Sequence, residues 1–291
     1  MIGAGASPGA SPCLAIDIGA TKVDVGLVHP DGTLEYRERI VVDDHTDDLF
    51  AAIAARAAQL QSRLDSVVVG VACAGPMSGR GESVSPLNMP MWRDFPLRQR
   101  LRDVLGDEVY IEGDARSLAL AEGVFGAARG DASFLSMVVS TGVGGGIVID
   151  GRLLDGDSGN SGHIGHLNVI PDGSPCSCGS FGCLEAEVSG WAIESRTGRP
   201  PSDADEETRR RTGELVGRAV GSLCSVLDIN RCYIAGSVAL GFSEEFFRAA
   251  NEAARAHAQM SYSHSLQIRP SALGSDGPLL GAAMVGWRGA S

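Results

Sequence analysis

Ser140-Thr-Gly-Val-Gly-Gly-Gly146 stands between two apolar runs, Phe134 to Val139 and Gly146 to Ile149, that read as strands. Four glycines in seven residues are unfavourable unless the backbone must come close to something, and a ligand phosphate is the natural candidate. The spacing is not a dinucleotide fingerprint: G-x-G-x-x-G is absent, and a strand follows where that motif requires a helix. A second turn of the same kind, Asp17-Ile-Gly-Ala-Thr-Lys22, joins the runs Leu14 to Ile18 and Val23 to Val28. Gly19 permits tight backbone there, the Thr21 hydroxyl and free N–H groups can hold a phosphate, and Asp17 can order the water shell of a magnesium ion. Read alone, this hexapeptide is equally a favourable hairpin turn.

Two strand–glycine-turn–strand units in two halves of one chain resemble the paired phosphate loops of the actin-like ATPase fold, and suggest an internal duplication. Further out, the turn His29-Pro-Asp-Gly32 leads into a strand from Leu34 to Val42. Helical spacing covers Leu49 to Leu64, Ala115 to Ala128, Glu206 to Leu227, Phe246 to His257 and Leu280 to Trp287. Ser66 to Ala72, Val109 to Ile111 and Cys232 to Ala235 read as further strands, which makes the chain an α/β protein.

Composition narrows the function. With 24 Lys+Arg against 36 Asp+Glu the net charge is −12, which repels phosphate backbones and anionic lipid, so neither nucleic acid nor membrane is an expected partner. No apolar run approaches the ~20 residues of a membrane span. The stretch from Met1 to Pro12 is a Gly/Ala/Ser/Pro tail without the basic start and apolar block of a signal peptide, so a cytoplasmic location with reduced cysteines is expected.

Three of the seven cysteines crowd into Cys176-Ser-Cys178-Gly-Ser-Phe-Gly-Cys183, downstream of Gly162-His-Ile-Gly-His166. Three thiolates and one imidazole make a closed tetrahedral structural zinc site. His166 is the favoured fourth ligand and His163 the alternative.

In this order the motifs resemble the ROK family (repressors, open reading frames and kinases). That family carries Asp-x-Gly-x-Thr-Lys, Asn-Asp-Ala-Asn, a Gly-Thr-Gly-x-Gly-Gly-Gly loop, Glu-x-Gly-His and Cys-x-Cys-Gly-x-x-Gly-Cys-x-Glu. Asn88-Met-Pro-Met-Trp92 and Ile234-Ala-Gly-Ser-Val-Ala239 also match, and the likeness runs from Leu14 to Trp287. The resemblance implies an ATP-dependent sugar kinase of actin-like fold. Its small domain would be residues 13–114 plus 273–291 and its large domain 115–272, around a cleft. Asp114 would be the catalytic base. Gly75, Asn88, Gly113, His163, His166 and Glu185 would face the sugar. Asp17, Gly19, Thr21, Lys22, Thr141, Gly142, Gly144 and Gly236 would hold ATP and Mg²⁺, with zinc on His166, Cys176, Cys178 and Cys183. A homodimer is expected from the family alone. Without the resemblance, Asp114 reads as a helix N-cap.

Three positions depart from the family: Gly113 and Arg116 replace asparagines, and His163 replaces the glutamate. Since Gly113 and His163 correspond to contacts near C3 of a hexose, the expected substrate is an amino or acylamino sugar phosphorylated at O6. 3-Amino-3-deoxyglucose (kanosamine) fits the location: a neutral His163 can accept from an amine, and Gly113 leaves room. A 2-acetamido hexose, or glucose with compensated changes, is the alternative. A non-catalytic sugar sensor is the alternative of another class. ROK repressors carry a DNA-binding domain before the first phosphate loop, for which the start at Asp17 leaves no expected room.

Overall fold

The computed structural model describes residues 7–42, 48–64 and 67–291. Residues 1–6 of the expected tail and the expected strand start at Ser66 lie outside these. The described end of that tail is not loose: the Trp287 indole donates to the carbonyl of Ser11 at 3.0 Å, and Gly9 lies on the same ring.

Two sheets repeat one plan. The first takes β1 (Cys13–Ile18), β2 (Lys22–Val28), β3 (Leu34–Val41) and β4 (Val68–Cys73). A small separate hairpin, β5 (Met77–Ser78) and β6 (Ser83–Val84), precedes its last strand, β7 (Val109–Gly113). The second sheet takes β8 (Phe134–Val139), β9 (Val143–Ile149), β10 (Arg152–Leu153), β11 (Arg231–Ala235) and β12 (Gln267–Pro270). The strand orders, β3-β2-β1-β4-β7 and β10-β9-β8-β11-β12, are the same order twice. Each sheet opens with an antiparallel meander and continues in parallel pairs. Both central strands are apolar on both faces, as strands covered by helices on either side must be.

Helices α1 (Leu49–Gln61) and α2 (Leu97–Leu105) cover the outer face of the first sheet. Between the sheets lie α3 (Asp114–Phe125) and, at the C-terminal end of the chain, α8 (Gly277–Gly289). Helices α4 (Leu184–Val188), α5 (Gly190–Thr197), α6 (Glu206–Leu227) and α7 (Ser237–His257) cover the far side of the second sheet. Local chemistry sets their ends: Asp48 caps α1 by accepting from the Ala51 N–H at 2.9 Å, and Asp205 caps α6 by accepting from that of Thr208 at 2.8 Å. Helix α8 does not pack on the first sheet alone. Gly70 of β4 lets it in so closely that a Cβ there would fall 2.0 Å from the Ala282 carbonyl, while its other face, through Gly281, meets Ser117 of α3. The two helices therefore form one shared layer on which both sheets rest.

Several elements differ from expectation. The third helix begins at Asp114 and stops at Phe125. Helix α7 starts at Ser237 rather than Phe246, because a break at Ser243 (φ 54°, ψ −133°) hides its first turns from any helical periodicity. Helix α2, absent from the expected helices, carries Leu97, Leu101 and Leu105 at a helical spacing legible in the sequence, whereas α5 and β12 are short. Among the described residues no helix is long and apolar enough to cross a membrane.

Candidate active site

The duplicated plan points both glycine turns at one cleft, about 270 Å³ in volume, between the two halves. The first turn brings Gly19, Thr21 and Lys22 to it, and the second brings Thr141, Gly142 and Gly144. Gly75, Asn88, Asp114, His163, His166 and Glu185 complete its walls. Asp17, at the end of β1, is almost fully buried beneath the first turn. Gly236 does not share this lining. It ends β11 at φ 103° and caps α7, which the Ser140–Ser237 hydroxyl contact of 3.0 Å lays alongside the second turn.

The glycine run is not a single turn: Val143 to Ile149 is strand β9. A Cβ at Gly144 would meet Ala115 at 2.8 Å, at Gly145 Ile164 at 2.3 Å, and at Gly146 Ala119 at 2.6 Å. Those glycines admit helix α3 and the segment after β10 against the strand. Closeness to protein rather than to phosphate explains Gly145 and Gly146. Gly142 remains in the turn, with the Glu185 carboxylate 2.8 Å from where its Cβ would be.

Asp114 is the first residue of α3, and Gly113, not Asp114, holds the cap position. Its carboxylate accepts from the Ala115 N–H at 2.7 Å. The carboxylate is open to the cleft, but the protein packed around it desolvates it enough to raise its pKa, and the Glu185 charge adds to that rise. Asp17 is pushed up to about 7 by burial and by the charges of Asp114 and Asp24. Glu185, in the first turn of α4, accepts from the Val143 N–H at 2.8 Å, so one of its oxygens secures the second turn while the side chain lines the cleft. Lys22 is the only lysine among the 291 residues, and it lines the cleft.

His163 packs its ring over Gly75 while staying exposed to the cleft, and partial desolvation, with His166 beside it, lowers its pKa. Beside it lies His166, ring centroids 5.9 Å apart. His166, not His163, joins the cysteines: its Nδ1 is 3.6 Å from Cys176 Sγ, Cys178 and Cys183 Sγ are 3.7 Å apart, and all four donor atoms lie within 4.8 Å of one another. Zinc bonds of about 2.1 Å to nitrogen and 2.3 Å to sulfur give tetrahedral edges of about 3.6–3.8 Å, so the donor set fits that ion.

The space expected at Gly113 is a side cavity of about 40 Å³ between Gly75, Met77, Gly113, Asn160 and His163. It does not lie along the Cβ direction of Gly113, where the Arg116 Cδ is 3.3 Å away. Sequence reading had no signal for Met77, Asn160 or Ser161 in this wall, since each is placed by contacts from remote segments.

Known proteins give the following likenesses. The ROK family matches residues 13–287. A glucokinase from Thermotoga maritima is 35% identical over 184 residues, 62% of this chain and 58% of that protein, so the chain spans less than two thirds of that relative. An N-acetylmannosamine kinase from Haemophilus influenzae is 29% identical over 291 residues, 93% of this chain and 94% of that protein. A ROK hexokinase from Thermus thermophilus superposes with a TM-score of 0.81 at 31% identity, over 96% of this chain and 99% of that one. A ROK family glucokinase from Streptomyces griseus, solved with glucose and AMPPNP, gives 0.83 at 26%, over 95% and 99%.

Proposed function

The chain belongs to the ROK family, and from that premise we propose that it is an ATP-dependent kinase that phosphorylates a hexose modified at C2 or C3, at O6. The observation that carries this reading is Asp114: one carboxylate at a helix start, exposed to the same cleft as two phosphate-type hairpins. Phosphoryl transfer is mainly positioning and charge neutralisation. Asp114 accepts the proton of the attacking sugar hydroxyl, and its raised pKa makes it a better base near neutral pH than a solvated aspartate. Backbone N–H groups around Gly19, Thr141 and Gly142 hold the ATP phosphates, Lys22 offsets their charge, and Asp17 faces the magnesium side. Bound Mg²⁺ neutralises charge on the transferring phosphate. His166, Cys176, Cys178 and Cys183 would hold structural zinc, which fixes the His166 ring so that its other nitrogen meets the sugar. A homodimer belongs to this reading through the family.

The side cavity supports the modified sugar. Its ~40 Å³ exceeds the ~10–15 Å³ that one water requires, so it takes a small substituent, and neutral His163 can accept from an amine. Kanosamine suits that acceptor. A 2-acetamido hexose is the second reading, favoured by the near full-length match to an N-acetylmannosamine kinase.

The test is ADP release with Mg-ATP across glucose, glucosamine, kanosamine, mannose, N-acetylglucosamine and N-acetylmannosamine. Turnover confined to kanosamine supports the first reading, and turnover confined to a 2-acetamido hexose supports the second. Strong turnover of glucose removes the modified-sugar reading. Sugar binding by calorimetry without any turnover would replace the kinase by a sensor.

A further inference from the structure

The segment from Leu154 to His163 forms the side wall of the sugar pocket, and nothing in its own composition would hold it still. Among its ten residues are Gly156, Gly159 and Gly162, all at positive φ, and it has only a poor share of regular structure. Such a segment loses much conformational entropy on ordering and needs outside anchors.

Besides the Arg288–Asp155 ion pair of 3.2 Å from α8, two anchors are present. The first is Arg116, two residues beyond Asp114 on α3 and buried. Its Nε and Nη2 grip the Glu112 carboxylate at 2.7 and 3.0 Å, and Nη2 also donates to Asp155 Oδ1 at 2.9 Å. Its Nη1 donates to the Ser161 hydroxyl at 2.7 Å and to the Leu154 carbonyl. All five guanidinium N–H groups thus have partners, and three of those partners are in the wall. The second anchor is Asn160, whose amide both accepts from the Met77 N–H at 3.0 Å and donates to the Met77 carbonyl at 2.8 Å, as a paired strand would. Met77 belongs to the first half of the molecule and Asn160 to the second, so this clasp crosses the cleft.

We infer that Arg116, assisted by Asn160, is the positioning residue that sets sugar selectivity, by holding residues 154–163 and therefore His163 against the substrate. This deepens the kinase reading and rests on it. Arg116 also explains Gly113: any larger residue at 113 would press on the Arg116 side chain, so the two departures from the family's asparagines form one coupled change. Lysine cannot replace Arg116, having neither the planar fork nor five donors.

The experiment compares wild type, Arg116→Ala, Arg116→Lys, Asn160→Ala, Gly113→Asn, Arg116→Asn and the Gly113→Asn/Arg116→Asn pair. Sugar KM, ATP KM, kcat and amide exchange are measured for each. Arg116→Ala and Arg116→Lys should raise sugar KM about tenfold or more while ATP KM stays within about twofold, because only the sugar wall is displaced. Asn160→Ala should act in the same direction and more weakly. The double variant should do better than the product of its singles, and should favour unmodified glucose over the best wild-type substrate. Exchange should quicken across 154–163 in Arg116→Ala. Unchanged sugar KM, equal losses for sugar and ATP, or strict additivity of the pair would each overturn the proposal. If Arg116→Ala does not fold, Asn160→Ala decides, and an unchanged sugar KM there overturns it. Absence of sugar-dependent turnover in wild type would remove the kinase reading, whereas unchanged exchange at 154–163 would remove the anchor alone.

Discussion

The hairpins β1–β2 and β8–β9 have the same topology and opposite chemistry. The first carries Asp17, Lys22 and Asp24, with Asp17 paired across the strands to Asp24. The second has no charged residue from Phe134 to Ile149, and its glycines face helix α3 and Ile164. Asp24 is held at about 2 despite its burial, since Arg39 and Arg37 both hydrogen-bond it. Among the described residues no arginine hydrogen-bonds Asp17, which rises to about 7. Duplication supplied two phosphate-type turns. Divergence left charge to one of them and close helix packing to the other, and that packing puts Asp114 at the cleft.

The strongest way to break this comparison is at the residue both hairpins serve. Asp114→Asn should lower kcat about 10³-fold while calorimetry still detects sugar binding, and an active variant would remove Asp114 as the base.

The charged hairpin is tested next. The unfolded Asp17 pKa is near 3.8 and the folded one about 7, so its contribution to stability is fully present below about pH 4 and is lost as pH rises through 7. Without Mg-ATP, Asp17→Asn should therefore be more stable than wild type above pH 8, by roughly 4 kcal/mol at most, with little difference at pH 4. Thermal melts of both proteins from pH 4 to 8.5 check this, and a difference independent of pH would contradict it. Kinase activity should fall in the same variant.

The packed hairpin gives the third contrast. Gly146→Ala would put its Cβ 2.6 Å from that of Ala119 and should cost about 1–3 kcal/mol in urea unfolding. Gly19→Ala meets only the Lys22 carbonyl, at 3.2 Å, and should be milder in stability. Equal losses would mean that the two hairpins are not differently packed.

The smallest effect sharpens the picture. Cys178→Ser should lose bound zinc in elemental analysis and raise sugar KM about tenfold, leaving ATP KM nearly unchanged. A native protein that holds no zinc and is equally active would remove that link.

How much of this was legible depended on sequence distance. The metal cluster could be read because its donors lie within 18 positions, 166 to 183, and ligand type alone constrains them. Strands β1 and β8 could be read from unbroken apolar runs, and α6 from its length. Arg116 could not, because its partners Leu154, Asp155 and Ser161 are 38, 39 and 45 residues away. Nor could the packing role of Gly145 and Gly146, because a glycine's composition signal is identical whether ligand or helix occupies the vacant Cβ position.

The sequence by itself determined the α/β class, the two hairpins, the cysteine–histidine set and the family, because these depend on local propensity and on short spacings. Tertiary structure alone decided that Asp17 is buried beneath its turn while Asp114 opens into the cleft, that α8 lies between the sheets, and that Arg116 lies against Gly113. Those facts follow from desolvation and close packing between segments far apart in the chain, and no local pattern of residues encodes them.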